Sequence, residues 1–261
     1  MGLIYFFAAV LGLCIGSFLN VLVYRLPRNM NIATPGSHCP ECGYQLKWYD
    51  NIPVLSYIIL GGRCRKCKTH ISFRYTAVEI VNTLLWVGCV YVFWEKSIPM
   101  ACVYAATLSV FLTMFFTDLE TYTVPDSIQI ALLLFGVCAT VFDKNYPWYS
   151  HLIGAFAFSL VFWLVAFIIT KKRGVEALGG GDIKLAFVSG LILGWEKMLG
   201  AMLIASVFGS LIIVILQRVK KNGRDTEYPF VPFIVSGASV MIFFGDYLIE
   251  QYKSLLTLFM P

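Results

Sequence analysis

The chain has 261 residues, of which 59% are hydrophobic and 13% are charged, and its formal net charge is +5. Soluble domains contain roughly 45–50% apolar and about 25% charged residues, so this composition excludes a water-soluble enzyme and predicts a polytopic membrane protein in contact with lipid. The basic residues flank apolar segments instead of sharing one exposed face, which excludes a protein that binds nucleic acid.

Eight apolar segments follow one another along the chain, and membrane-spanning helices need about 20 residues each. They fall at residues 3–24, 76–94, 100–117, 126–142, 151–170, 183–195, 197–217 and 231–249. We therefore predict an all-α polytopic membrane protein with about eight transmembrane helices. The first segment lacks the basic start of a signal peptide, so we expect it to be retained as a span. Residues 183–195 are short for a full crossing and could instead be re-entrant.

The distribution of basic residues predicts which side each loop faces. With eight crossings and an external N-terminus, loops on the cytoplasmic side hold all but four of the 20 lysines and arginines. The four exceptions are Lys96, Lys144, Lys197 and Lys253. Cytoplasmic loops are enriched in Lys and Arg, so this arrangement is favoured. If residues 183–217 formed one span, the excess of lysine and arginine on the cytoplasmic side would be smaller. The charge distribution therefore supports two crossings there.

The first long polar segment, residues 25–74, contains two C-x-x-C pairs, Cys39 with Cys42 and Cys64 with Cys67. Two residues between cysteines let both thiolates bind one ion, and two such pairs complete the tetrahedron that zinc prefers. About 50 residues have little core of their own, so a metal would supply folding free energy. We predict a structural zinc site in a cytoplasmic module. The alternative is four free or disulfide-bonded cysteines, and a reducing cytoplasm disfavours the disulfides.

Two aspartates lie at the cytoplasmic ends of predicted spans. Asp118 ends the third span, and Asp182 begins the sixth after residues 179–181, which are all glycine. Two neighbouring carboxylates can share a proton, so that one activates water while the other donates to a carbonyl oxygen, as peptide hydrolysis requires. Glycines allow an extended substrate backbone to approach. Helix capping explains Asp182 equally well, whereas a negative charge at a helix C-terminus is unfavourable and favours a functional role for Asp118.

Other polar residues near the spans have simpler explanations. Asp126 follows a proline at a helix start, where capping is sufficient, and Glu120 is a weaker acidic candidate. Glu79 lies about one turn inside the second span and can pair with a nearby arginine. Lys184 could orient the two aspartates or anchor its helix at the interface. His151 lies at the outer edge of the fifth span, which argues against a serine–histidine nucleophile.

Recognisable motifs are distributed over nearly the whole chain. They lie at residues 16–21, 24–27, 37–42, 48–57, 62–67, 71–75, 118–126 and 179–184, together with Glu79. In these motifs the chain resembles the bacterial type IV prepilin peptidases. The resemblance implies aspartic protease chemistry of the G-x-G-D type. It assigns Gly179, Gly181 and Asp182 to that motif and makes Asp118 the partner aspartate.

The resemblance also implies two activities and a location. Members of the family cleave prepilins or pseudopilins of type IV pilus and type II secretion systems after a glycine, at the cytoplasmic face of the bacterial inner membrane. They then methylate the new N-terminal residue, usually Phe, with S-adenosylmethionine, and the four-cysteine module is associated with the methylating members. The motifs do not identify the residues that bind the methyl donor.

On this interpretation the chain has three parts. Residues 1–24 form the first transmembrane helix, residues 25–74 the cytoplasmic zinc module, and residues 75–261 the transmembrane aspartic peptidase domain. Two alternative functions stay open from the sequence. One is a peptidase without methylation, and the other is a non-catalytic membrane scaffold with a zinc-containing docking loop.

Overall fold

A computed structural model describes residues 1–174, 179–220 and 228–259. The predicted cytoplasmic residues Lys221 and Arg224 lie outside the described residues. The described chain is helical, with two isolated antiparallel bridges in the cysteine-containing segment. The helices are α1 (Gly2–Arg25), α2 (Leu55–Ile59), α3 (Arg74–Phe93), α4 (Ile98–Thr121), α5 (Asp126–Phe142), α6 (Trp148–Arg173), α7 (Gly180–Lys220) and α8 (Val231–Phe259).

Within the described residues, six helices are long and apolar enough to cross a membrane: α1, α3, α4, α6, α7 and α8. Helix α7 has 41 residues and is interrupted at Gly194, whose φ of 75° and ψ of 170° are not helical. This interruption falls at the predicted junction of segments 183–195 and 197–217, so α7 contains both. The predicted segment 126–142 is the shorter α5, of 17 residues. The prediction of an all-α polytopic membrane protein is confirmed, and the predicted count of eight is close.

The chain divides into two compact units, residues 1–113 and 114–261. In the first unit, α1 packs along α3. In the second unit, α7 packs against α5, α6 and α8. Helix α7 therefore lies at the centre of the second unit, and its N-terminal turn carries Asp182.

Helices α1 and α3 pack closely because small residues line their contact. A Cβ atom added to Gly12 would lie 2.7 Å from the Cα of Thr83, and one added to Gly16 would lie 2.7 Å from the Cα of Glu79. The Asn82 side chain donates a hydrogen bond of 2.8 Å to the Gly12 carbonyl. Small residues at a spacing of four and interhelical hydrogen bonds are the usual means of packing helices in lipid.

Helices α6 and α7 also meet backbone to backbone. A Cβ atom added to Gly154 would lie 2.7 Å from the Gly190 carbonyl oxygen, and one added to Gly190 would clash with the Gly154 carbonyl. Real Cβ atoms do not approach this closely, and backbone on both sides cannot rotate away. The two glycines are therefore a steric requirement of this helix pair.

We expect Gly190→Ala to destabilise the second unit by about 3 kcal/mol, because the added methyl group must push two packed backbones apart. The measurement is the Tm of the detergent-solubilised protein. Gly180→Ala is the matched control, since a Cβ there meets nothing within 4 Å on the same helix. A Gly190→Ala protein as stable as the control would contradict the prediction.

The break in α7 is stabilised by buried polar groups. Because the helix is interrupted at Gly194, carbonyls just before it lose the backbone N–H groups that would normally donate to them. The Leu191 carbonyl instead accepts a hydrogen bond of 3.0 Å from the His151 Nδ1. Beyond the break, the buried Lys197 forms an ion pair of 2.8 Å with Asp246 of α8. A buried backbone irregularity needs such internal partners. His151 thus has a structural role at the break.

Candidate active site and metal centre

Asp118 lies in the last turn of α4 and is 5% exposed. The helix ends just beyond it, where Tyr122 adopts a left-handed φ of 54° and its N–H donates to the Asp118 carbonyl at 3.0 Å. Asp182 lies in the first turn of α7 and is half-buried. The two carboxylates lie close enough to repel each other electrostatically. The structure therefore brings the two sequence-predicted aspartates together within the second unit.

Backbone groups lie beside both carboxylates. Val231, at the start of α8, lies next to the Asp118 carboxylate, and Gly179 lies next to the Asp182 carboxylate. The Oδ2 atom of Asp118 is buried and has no hydrogen-bond partner within the described part of the chain. Buried polar atoms without a partner are rare, and this one is free to bind a water molecule or a substrate group.

The three glycines before Asp182 are not required by the packing of the described chain. None of residues 179–181 has a left-handed φ. A Cβ atom added to any of them would meet no atom nearer than 3.4 Å, and that atom belongs to Val124 beside Gly181. The glycines therefore leave open space next to the Asp182 carboxylate, as an approaching peptide backbone needs.

Two further side chains fix the start of α7. The Gln129 side chain of α5 donates a hydrogen bond of 3.0 Å to the Gly181 carbonyl. The predicted supporting residue Lys184 forms an exposed ion pair of 2.6 Å with Asp126 at the start of α5. Sequence reasoning missed Gln129, although a buried amide in an apolar helix was a usable signal.

The four predicted zinc ligands form one cluster. The sulfur atoms of Cys39, Cys42, Cys64 and Cys67 all lie within 4.8 Å of one another. The Cys39 and Cys67 sulfurs are 3.7 Å apart, and the Cys42 and Cys64 sulfurs are 3.9 Å apart. A tetrahedral zinc ion with Zn–S bonds of about 2.3 Å sets sulfur–sulfur distances of about 3.8 Å. The cysteines are free thiols, so the donor set fits zinc.

The two C-x-x-C pairs adopt the same backbone turn. The N–H of Gly43 donates to the Cys39 carbonyl at 3.0 Å, and the N–H of Lys68 donates to the Cys64 carbonyl at 3.1 Å. Gly43 and Lys68 each follow the second cysteine of their pair and have left-handed φ values of 67° and 62°. This repeated turn directs two sulfur atoms from each pair toward a common centre.

A buried carboxylate connects the two turns. Asp50 accepts hydrogen bonds from the Arg65 Nε at 2.6 Å, the Tyr44 hydroxyl at 3.1 Å and the Lys47 N–H at 3.3 Å. Burial opposes ionisation of Asp50, but these three donors outweigh it and hold the pKa of the carboxyl below its usual value. Sequence reasoning placed Asp50 only within a motif and missed this structural role.

The first unit contains a cleft of about 380 Å³, which is within the range of small-molecule sites. The buried Arg25 fixes its rim by donating to the carbonyls of Asn31 at 2.9 Å and Pro35 at 2.7 Å. The Glu79 carboxylate fixes a nearby turn by accepting from the Val54 N–H at 2.7 Å. The cleft is lined by Cys14, Ser17, Phe18, Val21, Arg25, Ile32, Ala33, Pro35, Gly36, Ser37, Asn51 and Pro53.

Comparison with known proteins gives matches to both parts of the chain. Residues 10–93 match the bacterial peptidase A24 N-terminal domain, and residues 105–214 match the type IV leader peptidase family. No solved structure matches the chain.

Several relatives are named prepilin leader peptidase/N-methyltransferase. The protein of Burkholderia pseudomallei strain 1026b is 34% identical over 92% of this chain and 85% of its own length. That of Myxococcus xanthus strain DK1622 is 37% identical over 85% of this chain and 66% of its own length. That of Pseudomonas putida is 32% identical over 95% of this chain and 92% of its own length. Since the matched stretches include both aspartates and all four clustered cysteines, the chain belongs to the type IV leader peptidase family.

Proposed function

We propose that this protein removes the leader peptide of prepilins or pseudopilins and then methylates the new N-terminal residue. The observation that carries the peptidase activity is the pairing of Asp118 with Asp182 at two helix ends. Asp118 keeps one buried oxygen without a partner in the described chain, and open space lies beside Asp182. Relatives that resemble this chain over most of its length are named for both activities.

Hydrolysis needs one proton shared between the two carboxylates. Since the carboxylates repel each other, one stays protonated while the other is ionised. The ionised carboxylate removes a proton from water as the water oxygen bonds to the scissile carbonyl carbon, and its partner donates a proton to the carbonyl oxygen. When the C–N bond breaks, the leaving nitrogen takes a proton from the pair, a hydroxyl of the tetrahedral diol returns a proton to the pair as the new carboxyl group forms, and the pair again holds one proton. The proton belongs to the pair, so neither aspartate is assigned as base or acid.

The pair is proposed to face the cytoplasm of a bacterium from its inner membrane. The charge distribution supports this orientation, since Lys184 and the basic end of α6 lie at helix ends that the positive-inside rule assigns to the cytoplasm. The basic leader of a prepilin would stay in the cytosol while its apolar helix remains in the bilayer. This arrangement brings the bond between them to the depth of Asp118 and Asp182.

The domain assignment follows from the same proposal. Residues 1–24 are the first transmembrane helix, residues 25–74 the zinc module and residues 75–261 the peptidase domain. Four thiolates leave a zinc ion no open coordination position, so its role is structural. The metal would hold the two cysteine turns and thereby the shape of the module.

The cleft of the first unit is the proposed site for the methyl donor. Its volume suits a ligand of that size, and Ser17, Ser37 and Asn51 supply hydroxyl and amide groups to its lining. S-adenosylmethionine supplies a methyl group that passes from a sulfonium to the uncharged amine of the processed pilin. The part of this chain is to bind the donor, to orient the amine and to exclude water.

We expect Gly36→Leu to reduce methylation more than tenfold while leader cleavage is unchanged. Gly36 lines the cleft, and a Cβ there meets no atom within 4 Å, so a leucine can occupy the donor's volume without strain. Mass spectrometry of the processed pilin measures both steps. Gly2→Leu is the matched control, because Gly2 has similar open space outside the cleft. Full methylation by the Gly36→Leu protein would contradict the site.

The proposed function as a whole is tested with purified protein, a prepilin and S-adenosylmethionine. The expected product lacks the leader and carries one added methyl group on its new N-terminal residue. Cleavage without added methyl would favour the peptidase-only alternative. Absence of cleavage would favour a non-catalytic scaffold and contradict the proposal.

A further inference from the structure

A second cavity, of about 430 Å³, lies within the second unit. Its walls are almost entirely apolar and come from α4, α7, α8 and the residues just before α8. It is lined by Phe115, Leu119, Ile204, Phe208, Ile212, Leu216, Tyr228, Pro229, Pro232, Phe233, Ser236, Gly237 and Val240.

Two parts of the cavity lining flank residues of the proposed active site in sequence. Phe115 and Leu119 lie on α4 three residues before and one residue after Asp118. Val231, which lies next to the Asp118 carboxylate, stands between the lining residues Pro229 and Pro232 in the chain. The lining therefore includes close sequence neighbours of Asp118 and of Val231, which places the cavity near one of the two aspartates proposed to hydrolyse the peptide bond.

One polar group in the lining lacks a partner. The Tyr228 hydroxyl is buried, and no hydrogen-bond partner reaches it among residues 1–174, 179–220 and 228–259. A buried hydroxyl normally forms at least one hydrogen bond. Its position in an apolar cavity suits a peptide backbone group that arrives with the substrate.

We propose that this cavity binds the side chain of the first residue after the scissile bond, and that it selects a large apolar side chain. The inference rests on the proposed function. In an extended peptide, the side chains on either side of the scissile bond lie within one or two residues' rise, about 3.3 Å each, of the reacting carbonyl. The leader side is basic and the mature side is apolar, so an apolar cavity matches the mature side.

Val240→Trp tests the cavity by narrowing it from α8. Val240 lines the cavity and is partly exposed, so the larger ring can enter the open volume. For a prepilin with phenylalanine after the scissile bond, kcat/KM should fall at least tenfold. For the same prepilin with alanine there, kcat/KM should change less than threefold. The matched control is Val207→Trp, at an exposed residue of α7 outside the lining, which should leave both values unchanged.

Two more variants keep the test decisive. Ile212→Trp narrows the cavity from α7 and should reproduce the loss of selectivity if the Val240→Trp protein does not accumulate. Tyr228→Phe should lower kcat/KM roughly three- to tenfold for both prepilins alike, because it removes one hydrogen bond to the substrate backbone.

Equal kcat/KM for the two prepilins in the wild type and in every variant would overturn the cavity assignment. Failure of the wild type to cleave either prepilin would contradict the proposed function instead.

Discussion

Asp118→Asn and Asp182→Asn should each lower the kcat/KM of leader cleavage by roughly 10³-fold or more, with normal amounts of protein in the membrane. An amide has the size of a carboxylate but neither accepts a proton from water nor shares one with its neighbour. The two residues act as one unit, so the double variant should be little worse than either single variant. The measurement is leader cleavage of a purified prepilin at equal enzyme concentration.

The control for this pair is Asp126→Asn. Asp126 is an exposed aspartate whose ion pair with Lys184 lies at the start of α5, and exposed pairs contribute less than about 1 kcal/mol. The Asp126→Asn protein should cleave the leader with a kcat/KM within a few-fold of the wild-type value. Cleavage by the Asp118→Asn and Asp182→Asn proteins at that same level would contradict the aspartic mechanism and leave the scaffold alternative.

The same two variants separate the proposed activities. The methyl donor is assigned to the first unit and the aspartates to the second. A pilin that has already lost its leader should therefore still be methylated by the Asp118→Asn protein. Loss of methylation together with cleavage, on a pre-cleaved substrate, would argue against two separate sites.

The features that sequence predicted well depend on short segments. Apolar length predicted the spans, and the one interruption of α7, at Gly194, lies close to the predicted boundary between segments 183–195 and 197–217. The C-x-x-C spacing predicted the cysteine cluster, because each pair is closed by a local turn at Gly43 or Lys68. The proximity of the two aspartates was also accessible, since both were expected at span ends on one side of the membrane.

The features that sequence missed depend on which helix faces meet. A span is apolar toward lipid and toward its neighbours alike, so hydropathy does not mark the face that packs. The contact of Gly154 with Gly190 and the hydrogen bond from Gln129 to Gly181 join residues far apart in the chain. Asp50 likewise becomes important only once the two cysteine turns face each other.

The purified protein should contain one zinc ion per chain, and Cys39→Ser and Cys64→Ser should each lose most of it. Structural zinc contributes about 10–16 kcal/mol of apparent binding free energy, and in a small module this is folding free energy. Residues 25–74 should then become sensitive to limited proteolysis, and methylation should be lost. Elemental analysis of the purified proteins measures the metal, and digestion with a protease measures the state of the module.

Cys102→Ser is the matched control for the metal site, because Cys102 is an exposed cysteine of α4 outside the cluster. It should retain the wild-type zinc content and the wild-type proteolysis pattern. A wild type without zinc, or a Cys39→Ser protein with a full complement, would contradict the four-thiolate site. Leader cleavage should survive metal loss better than methylation, because Asp118 and Asp182 belong to the second unit and the cysteines to the first. That difference distinguishes a local structural metal from one required for the fold of the whole chain.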